Sequence, residues 1–306
     1  MSAPVLVTGG SGQLALALAA TAALRGLPIR RVGRPDFDFD RPATVDAVFA
    51  AARPALVVNA AAYTAVDAAE SDAEAALRAN RDGPARLATL CEAAGIPLIH
   101  VSTDYVFDGR KGTPYIETDP TSPIGVYGAS KLAGEQAALA LCHQAVVLRT
   151  SWIYSANGRN FVLAMLNAAR KTDRLRVVAD QRGCPTAAAD LAATILDVAS
   201  LLRRGWQPAY GGVFHACGSG WTTWHGLASA IFEEAAGYGA PMPAVAAIST
   251  AEWPTPARRP PDSRLDCGKL EQTFGLRLPP WRASLARTIE EIFSAQPAAH
   301  GAQIAV

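Results

Sequence analysis

Short runs that are apolar throughout alternate with alanine- and leucine-rich stretches along the first half of the chain, the rhythm of strands buried on both faces and helices that cover them. Pro4-Val-Leu-Val-Thr8 leads into Gly9-Gly-Ser-Gly12 and an apolar stretch to Arg25, which reads as strand, turn and helix. Pro28 to Gly33 predicts a second strand, Asp40 and Pro42 open a helix to Arg53, and Ala55 to Asn59 predicts a third strand. Ser71-Asp-Ala-Glu74 has capping-box spacing and opens a helical region toward Cys91, which Gly83-Pro84 is expected to break or restart. Leu98 to Ser102 and Ala145 to Arg149 are the fourth and fifth strands, with a helix carrying Tyr127 and Lys131 between them. The expected fold is α/β, a Rossmann-type doubly wound parallel sheet.

After about Ser151 the rhythm is lost. Loops rich in Pro, Gly and Trp dominate, with helices expected at Asp190 to Arg203, near Trp224 to Glu234 and at Ser284 to Phe293, and a frayed end after Ala295. This region is expected to form a smaller, substrate-binding domain.

A chain of 306 residues that is 50% apolar has ample material for a buried core and a length prior of about two domains. A net charge of +1 with mixed signs provides no field to gather nucleic acid or anionic membrane, so the expected partner is a small molecule. The five cysteines (91, 142, 184, 217, 267) are far apart and lack CxxC spacing, which suggests neither a disulfide framework nor a zinc site and fits a reducing cytoplasm. Gln13 to Leu24 resembles a signal-peptide core but follows a glycine turn rather than a basic segment. Nothing approaches the length of a membrane span.

Two patterns carry chemistry. In Gly9-x-x-Gly12-x-x-Ala15, glycines permit a tight turn and close backbone approach at a helix N-terminus, the arrangement that holds a dinucleotide pyrophosphate. Arg30, Arg31 and Arg34 at the end of the second strand favour the extra phosphate of NADPH, with Arg34 the chosen contact, although Asp36 and Asp38 leave NADH possible. In Tyr127-Gly-Ala-Ser-Lys131, residues four apart share one helix face, so a phenol and an ammonium point the same way, and Ser102-Thr103 adds hydroxyls upstream. A nearby cation would favour the phenolate and ease proton donation to a carbonyl. His100 reads as a core or edge residue, His215 and His225 lack metal-ligand spacing, and Trp152, Trp221, Trp224, Trp253 and Trp281 read mostly as core or loop anchors.

Taken together with Ser102-Thr-Asp-Tyr-Val-Phe107, these motifs resemble the extended short-chain dehydrogenase/reductases. Asn59-Ala-Ala-Ala-Tyr-Thr-Ala-Val-Asp67, Glu117-Thr-Asp-Pro-Thr-Ser-Pro123, Arg149-Thr-Ser-Trp-Ile-Tyr154, Asp180-Gln-Arg-Gly-Cys-Pro-Thr186 and Arg259-Pro-Pro-Asp-Ser-Arg-Leu265 are similar to blocks of the dTDP-4-dehydrorhamnose reductase family, in the same order, from Val5 to about Phe293. The resemblance implies NADPH-dependent reduction of dTDP-4-dehydro-β-L-rhamnose to dTDP-β-L-rhamnose, the donor for cell-surface polysaccharides, with Tyr127 as proton donor and Lys131 and Thr103 beside it. It implies cofactor contacts at Gly9, Gly12, Gln13, Leu14, Asp38, Phe39, Ala62, Tyr63, Thr64, Val101, Tyr127 and Lys131, and substrate contacts at Thr103, Asp104, Trp152 and Arg259. The dinucleotide domain would comprise residues 1–150 with about 186–212 returning to it, and the sugar-nucleotide domain 151–185 and 213–306. Some family members join subunits through magnesium held by three glutamates. Ala17, Ala189 and Glu291 fall there, with Asp190 adjacent, so no metal is expected to be required. The expected assembly is a monomer or homodimer. A nucleotide-sugar epimerase or dehydratase, and a non-catalytic regulatory subunit, are the alternatives.

Overall fold

A computed structural model describes residues 3–295, so the expectation for the stretch after Ala295 lies outside it. Strand β1 (Val5–Thr8) runs through the glycine turn into helix α1 (Gln13–Leu24). β2 (Ile29–Arg31), α2 (Pro42–Ala52) and β3 (Leu56–Asn59) follow, each shorter than its apolar run but in the expected order.

Helices α3 (Val66–Ala69) and α4 (Ala73–Leu77) lead into a π-helical segment, 78–82, and α5 (Gly83–Ala94). Gly83-Pro84 therefore restarts the α-helix, as α5, without ending the helical run. Pro84 has no N–H for the carbonyl of Asn80, and the wider π turn absorbs the missing bond. The cap of α4 also differs from expectation, because Asp72 rather than Ser71 accepts from the Ala75 amide.

β4 (Leu98–Thr103), α6 (Val126–Leu141) and β5 (Ala145–Thr150) complete the alternating half. β6 (Ile153–Tyr154), α7 (Phe161–Ala169), β7 (Arg174–Val178), β8 (Arg182–Gly183) and β9 (Thr186–Ala187) are mostly short pieces. Next come α8 (Ala188–Arg204), β10 (Gly212–His215), β11 (Thr222–Thr223) and α9 (Trp224–Ala236). β12 (Ala244–Ile248), α10 (Gly268–Phe274) and α11 (Trp281–Ser294) end the described chain.

Six strands form one parallel sheet in the order β10-β5-β4-β3-β1-β2, a Rossmann-type fold. Alternate residues divide between its faces: Val5, Val7, Val58, Ile99 and Leu148 pack with α1 and α8, whereas Leu6, Val57 and Leu98 pack with α2 and α5. This two-sided burial is why the strands carry no polar alternation. A second core joins α7, α9 and α11 through Leu166, Ile231 and Ile289. The order reverses at β1, whose neighbours β2 and β3 lie on opposite sides, and a cleft at the carboxyl ends of such strands is where ligands bind in open α/β sheets.

Candidate active site

A cleft of ≈1020 Å³ opens at that reversal, lined at one end by Gly9 to Leu14 and at the other by Thr103, Asp104, Tyr127 and Trp152. The glycine end is built from backbone proximity. Gly9 (φ 105°) and Gly10 (φ 50°) adopt conformations that favour glycine, and a Cβ on Gly33 would lie 2.4 Å from the Cα of Gly10. The turn after β1 and the end of β2 are thus in direct contact. No side chain caps α1, so its first-turn N–H groups are left for a ligand anion. These features fit a dinucleotide pyrophosphate, and Ala60, Ala61 and Ala62 keep the neighbouring strand end low.

The catalytic end is positioned by how closely α6 lies on its neighbours. A Cβ on Gly128 would meet the Tyr105 carbonyl oxygen at 2.2 Å, and one on Gly134 would meet that of Asn80 at 1.9 Å. The Asn80 carbonyl is the one that Pro84 cannot satisfy, so the proline and Gly134 together bring α6 against the π segment. The Asn80 side chain accepts from the Tyr63 amide (2.8 Å) and donates to the Tyr63 carbonyl (3.1 Å) and Ser130 Oγ (2.9 Å). It therefore ties the cleft wall to the helix that bears Tyr127.

Tyr127 is half-buried in the cleft, edge-on to Tyr105 with ring centroids 5.6 Å apart. Burial pushes its phenol up to about 12, with the Thr103 hydroxyl pulling the other way and Asp104 adding to the rise. Lys131 is buried and donates to the Val101 carbonyl at 2.7 Å; burial pulls its ammonium down to about 8. Desolvation therefore dominates the phenol, and the opposing pull comes from the Thr103 hydroxyl rather than from the expected Lys131. One turn further on, Glu135 accepts from Ser102 Oγ and pairs with Arg149 at 2.7 Å, all three buried. This ion pair fixes α6 to β4 and β5 beneath the site.

Asp104 is buried and accepts from Thr103 Oγ1 at 3.0 Å; among the described residues its Oδ2 has no partner within hydrogen-bond geometry, although the Ser263 hydroxyl is close enough to lower the carboxyl. Burial pushes its carboxyl up to about 6. Trp152, at φ 48°, stacks on Trp224 with centroids 3.5 Å apart, and its indole covers Gly183, where a Cβ would be 2.4 Å away. Trp224, read from sequence as a core or loop anchor, lines the cleft.

Most of the expected residues meet here. Gly9, Gly12, Gln13, Leu14, Arg34, Phe39, Ala62, Tyr63, Thr64, Val101, Thr103, Asp104, Tyr127, Lys131 and Trp152 all line the cleft. Two do not line it. Asp38 faces Arg34 and Arg41 at 3.3 and 3.4 Å, and Arg259 is engaged by Asp67 (2.8 Å), Thr255 and the Ala257 carbonyl. Arg31 donates to the Gly10 carbonyl, which sets it against the glycine turn. Sequence reading missed Gly33, Asn80, Glu135, Gly158 and Arg159. Gly158 and Arg159 adjoin Gln13, whose amide donates to the Arg159 carbonyl at 3.2 Å and accepts from Ser155 and Asn160 at 2.9 and 3.0 Å. Asp190, the candidate metal carboxylate, instead receives Arg287 (2.9 Å) and Ser284. Among the described residues no helix is long and apolar enough to cross a membrane.

The model of the RmlD substrate binding domain family matches residues 3–294. The dTDP-4-dehydrorhamnose reductase of Sinorhizobium fredii is 47% identical over 283 residues, covering 92% of this chain and 95% of that protein. The crystal structure of a dTDP-4-dehydrorhamnose reductase from Clostridium acetobutylicum superposes with a TM-score of 0.87 at 34% identity, covering 94% of this chain and 99% of that one. The Bacillus anthracis dTDP-4-dehydrorhamnose reductase in complex with NADP gives a TM-score of 0.87 at 33% identity, with 95% and 100% covered. Agreement of sequence and fold over almost the full length, on a cleft that joins a glycine cradle to a Tyr/Lys helix, means that this chain belongs to the dTDP-4-dehydrorhamnose reductase family of extended short-chain dehydrogenase/reductases.

Proposed function

We propose that the protein reduces the C4 carbonyl of dTDP-4-dehydro-β-L-rhamnose to give dTDP-β-L-rhamnose, with NADPH as the reductant. The observation that carries this reading is the convergence of Tyr127, Thr103 and Asp104 at one end of a cleft whose other end is a glycine cradle. NADPH, when bound, supplies the hydride. Tyr127 is a neutral phenol throughout the working range, so it has a proton to give as charge develops on the carbonyl oxygen. Thr103 stands beside it, held by Asp104 at 3.0 Å, and orients the same oxygen. Lys131, fixed on the Val101 carbonyl, presents its ammonium to the cofactor side of the cleft wall. Trp152, backed by Trp224, forms the floor on which a sugar ring packs.

Residues 1–150 with about 186–212 serve as the cofactor-binding part and 151–185 with 213–306 as the sugar-nucleotide part. Packing of α8 with α1 in one core supports the return of 186–212 to the first part, and pairing of β10 with β5 carries that return on to His215. Cytoplasmic action as a monomer or homodimer is part of the same reading. Incubation with dTDP-4-dehydrorhamnose and NADPH, followed by NMR of the product, tests it. The rhamno configuration at C4 is expected; a 6-deoxy-talose product, or no NADPH oxidation, refutes the assignment.

A further inference from the structure

Three of the five cysteines, far apart in sequence, meet behind the active site. Cys217 follows β10, Cys267 caps α10, and their sulfurs are 3.4 Å apart. Cys184 lies beside them: its Sγ and that of Cys217 both reach the Leu265 carbonyl at 4.0 Å. A cavity of ≈310 Å³ is lined by all three thiols, and exposed Trp221, Glu271 and Arg277 stand along it. Cys184 and Cys217 are buried, whereas Cys267 is half-buried. The other two, Cys91 and Cys142, are buried in the core between the sheet and α5.

The cavity abuts segments that support the substrate floor. Ser151 Oγ donates to the Cys184 carbonyl at 2.6 Å, Gly183 lies under Trp152, and the Gly218 amide donates to Thr186 Oγ1 at 3.2 Å.

We propose that Cys217 and Cys267 are a modification site, a dithiol that hydrogen peroxide converts reversibly to a disulfide. A small neutral oxidant suits a cavity of this size, and Cys267 is the thiol it meets first. The Cys267 thiolate attacks one peroxide oxygen, the O–O bond breaks, and the departing hydroxide takes up the one proton the Cys267 thiol released and leaves as water, giving a sulfenic acid on Cys267. Cys217 then attacks that sulfur. Its proton passes to the sulfenic hydroxyl, which leaves as a second water as the S–S bond forms, so the two sulfurs have given two electrons to the peroxide. Hydrogen bonding to Cys184 and Cys267, together with burial, holds the Cys217 thiol well above the ordinary range, and Cys184, which that hydrogen bond lowers, is buried, so exposure assigns the opening attack to Cys267. Contraction from 3.4 Å to the disulfide length of about 2.05 Å is a small movement of a half-buried side chain. The bond would close a chain segment with a sequence separation of 50 and reduce the freedom of the unfolded state.

The test treats the full chain with hydrogen peroxide, alkylates remaining thiols under denaturing conditions, and maps peptides by mass spectrometry. The expected product is two hydrogens lighter, has three of its five cysteines alkylatable, contains a Cys217–Cys267 cross-linked peptide, melts at a higher temperature, and reverts with dithiothreitol. Cys267→Ser should abolish the cross-link and Cys184→Ser should retain it. Five alkylatable thiols after treatment, a cross-link between Cys184 and Cys217, or Cys267 found only as sulfinic acid would each overturn the proposal.

Discussion

Replacing Asp104 by Asn tests whether the site is built at a cost in stability. In the folded protein burial pushes this carboxyl from 3.8 to about 6, so folding favours its protonated form. A raised carboxylate makes the folded state bind more protons than the unfolded state between those two values, and wild-type stability should therefore fall as pH rises from about 4 to about 6. Above that window the ionised carboxylate costs about 3 kcal/mol, taking 1.36 kcal/mol for each pH unit of the difference. Asn keeps the acceptor for Thr103 but places an amide where Oδ2 has no partner, at a cost of about 1–3 kcal/mol that does not depend on pH. The informative quantity is accordingly the change in the variant-minus-wild-type difference with pH. The two-state linkage expression gives about 1.4 kcal/mol between about pH 5 and about pH 7.5, in favour of the variant at the higher pH. Urea unfolding of the cofactor-free protein at both pH values measures it. A difference that is flat across this range, or that grows toward acid, would refute the reasoning.

Tyr127→Phe should lower kcat by at least about a hundredfold while NADPH binding, read by fluorescence, is retained; near wild-type turnover would remove Tyr127 from the proton transfer. Arg34→Ala should weaken NADPH by roughly ten- to a hundredfold and NADH little, because one charge-assisted phosphate contact contributes about 1.5–3 kcal/mol. Equal losses for the two cofactors would show that Arg34 does not read the phosphate. EDTA should change neither initial rate nor sedimentation, since Asp190 is engaged by Arg287 and Ser284; dissociation by EDTA, reversed by magnesium, would contradict this.

Sequence alone determined what depends on local spacing. Apolar runs specify buried strands, glycines specify the turn after β1, and a four-residue interval places Tyr127 and Lys131 on one face of α6. These signals are legible because each is set by backbone geometry over one or two turns of chain. Tertiary structure decided what depends on segments far apart in the chain. Gly33 matters because it touches Gly10, and Gly134 because the Asn80 carbonyl, which Pro84 has no N–H to meet, occupies the space a side chain would need. Glu135 looks like an ordinary helical charge until Arg149 and Ser102 close over it. Arg259, expected at the substrate, is held by Asp67, a partner 192 positions away that local spacing could not show. The cysteines lacked any spacing that suggested a common site, yet β10, the 184 loop and the start of α10 bring three of them to one cavity. Periodicity shows which face of an element is buried; only the packed fold determines which distant side chains share that burial, and with it their hydrogen bonds and proton affinities.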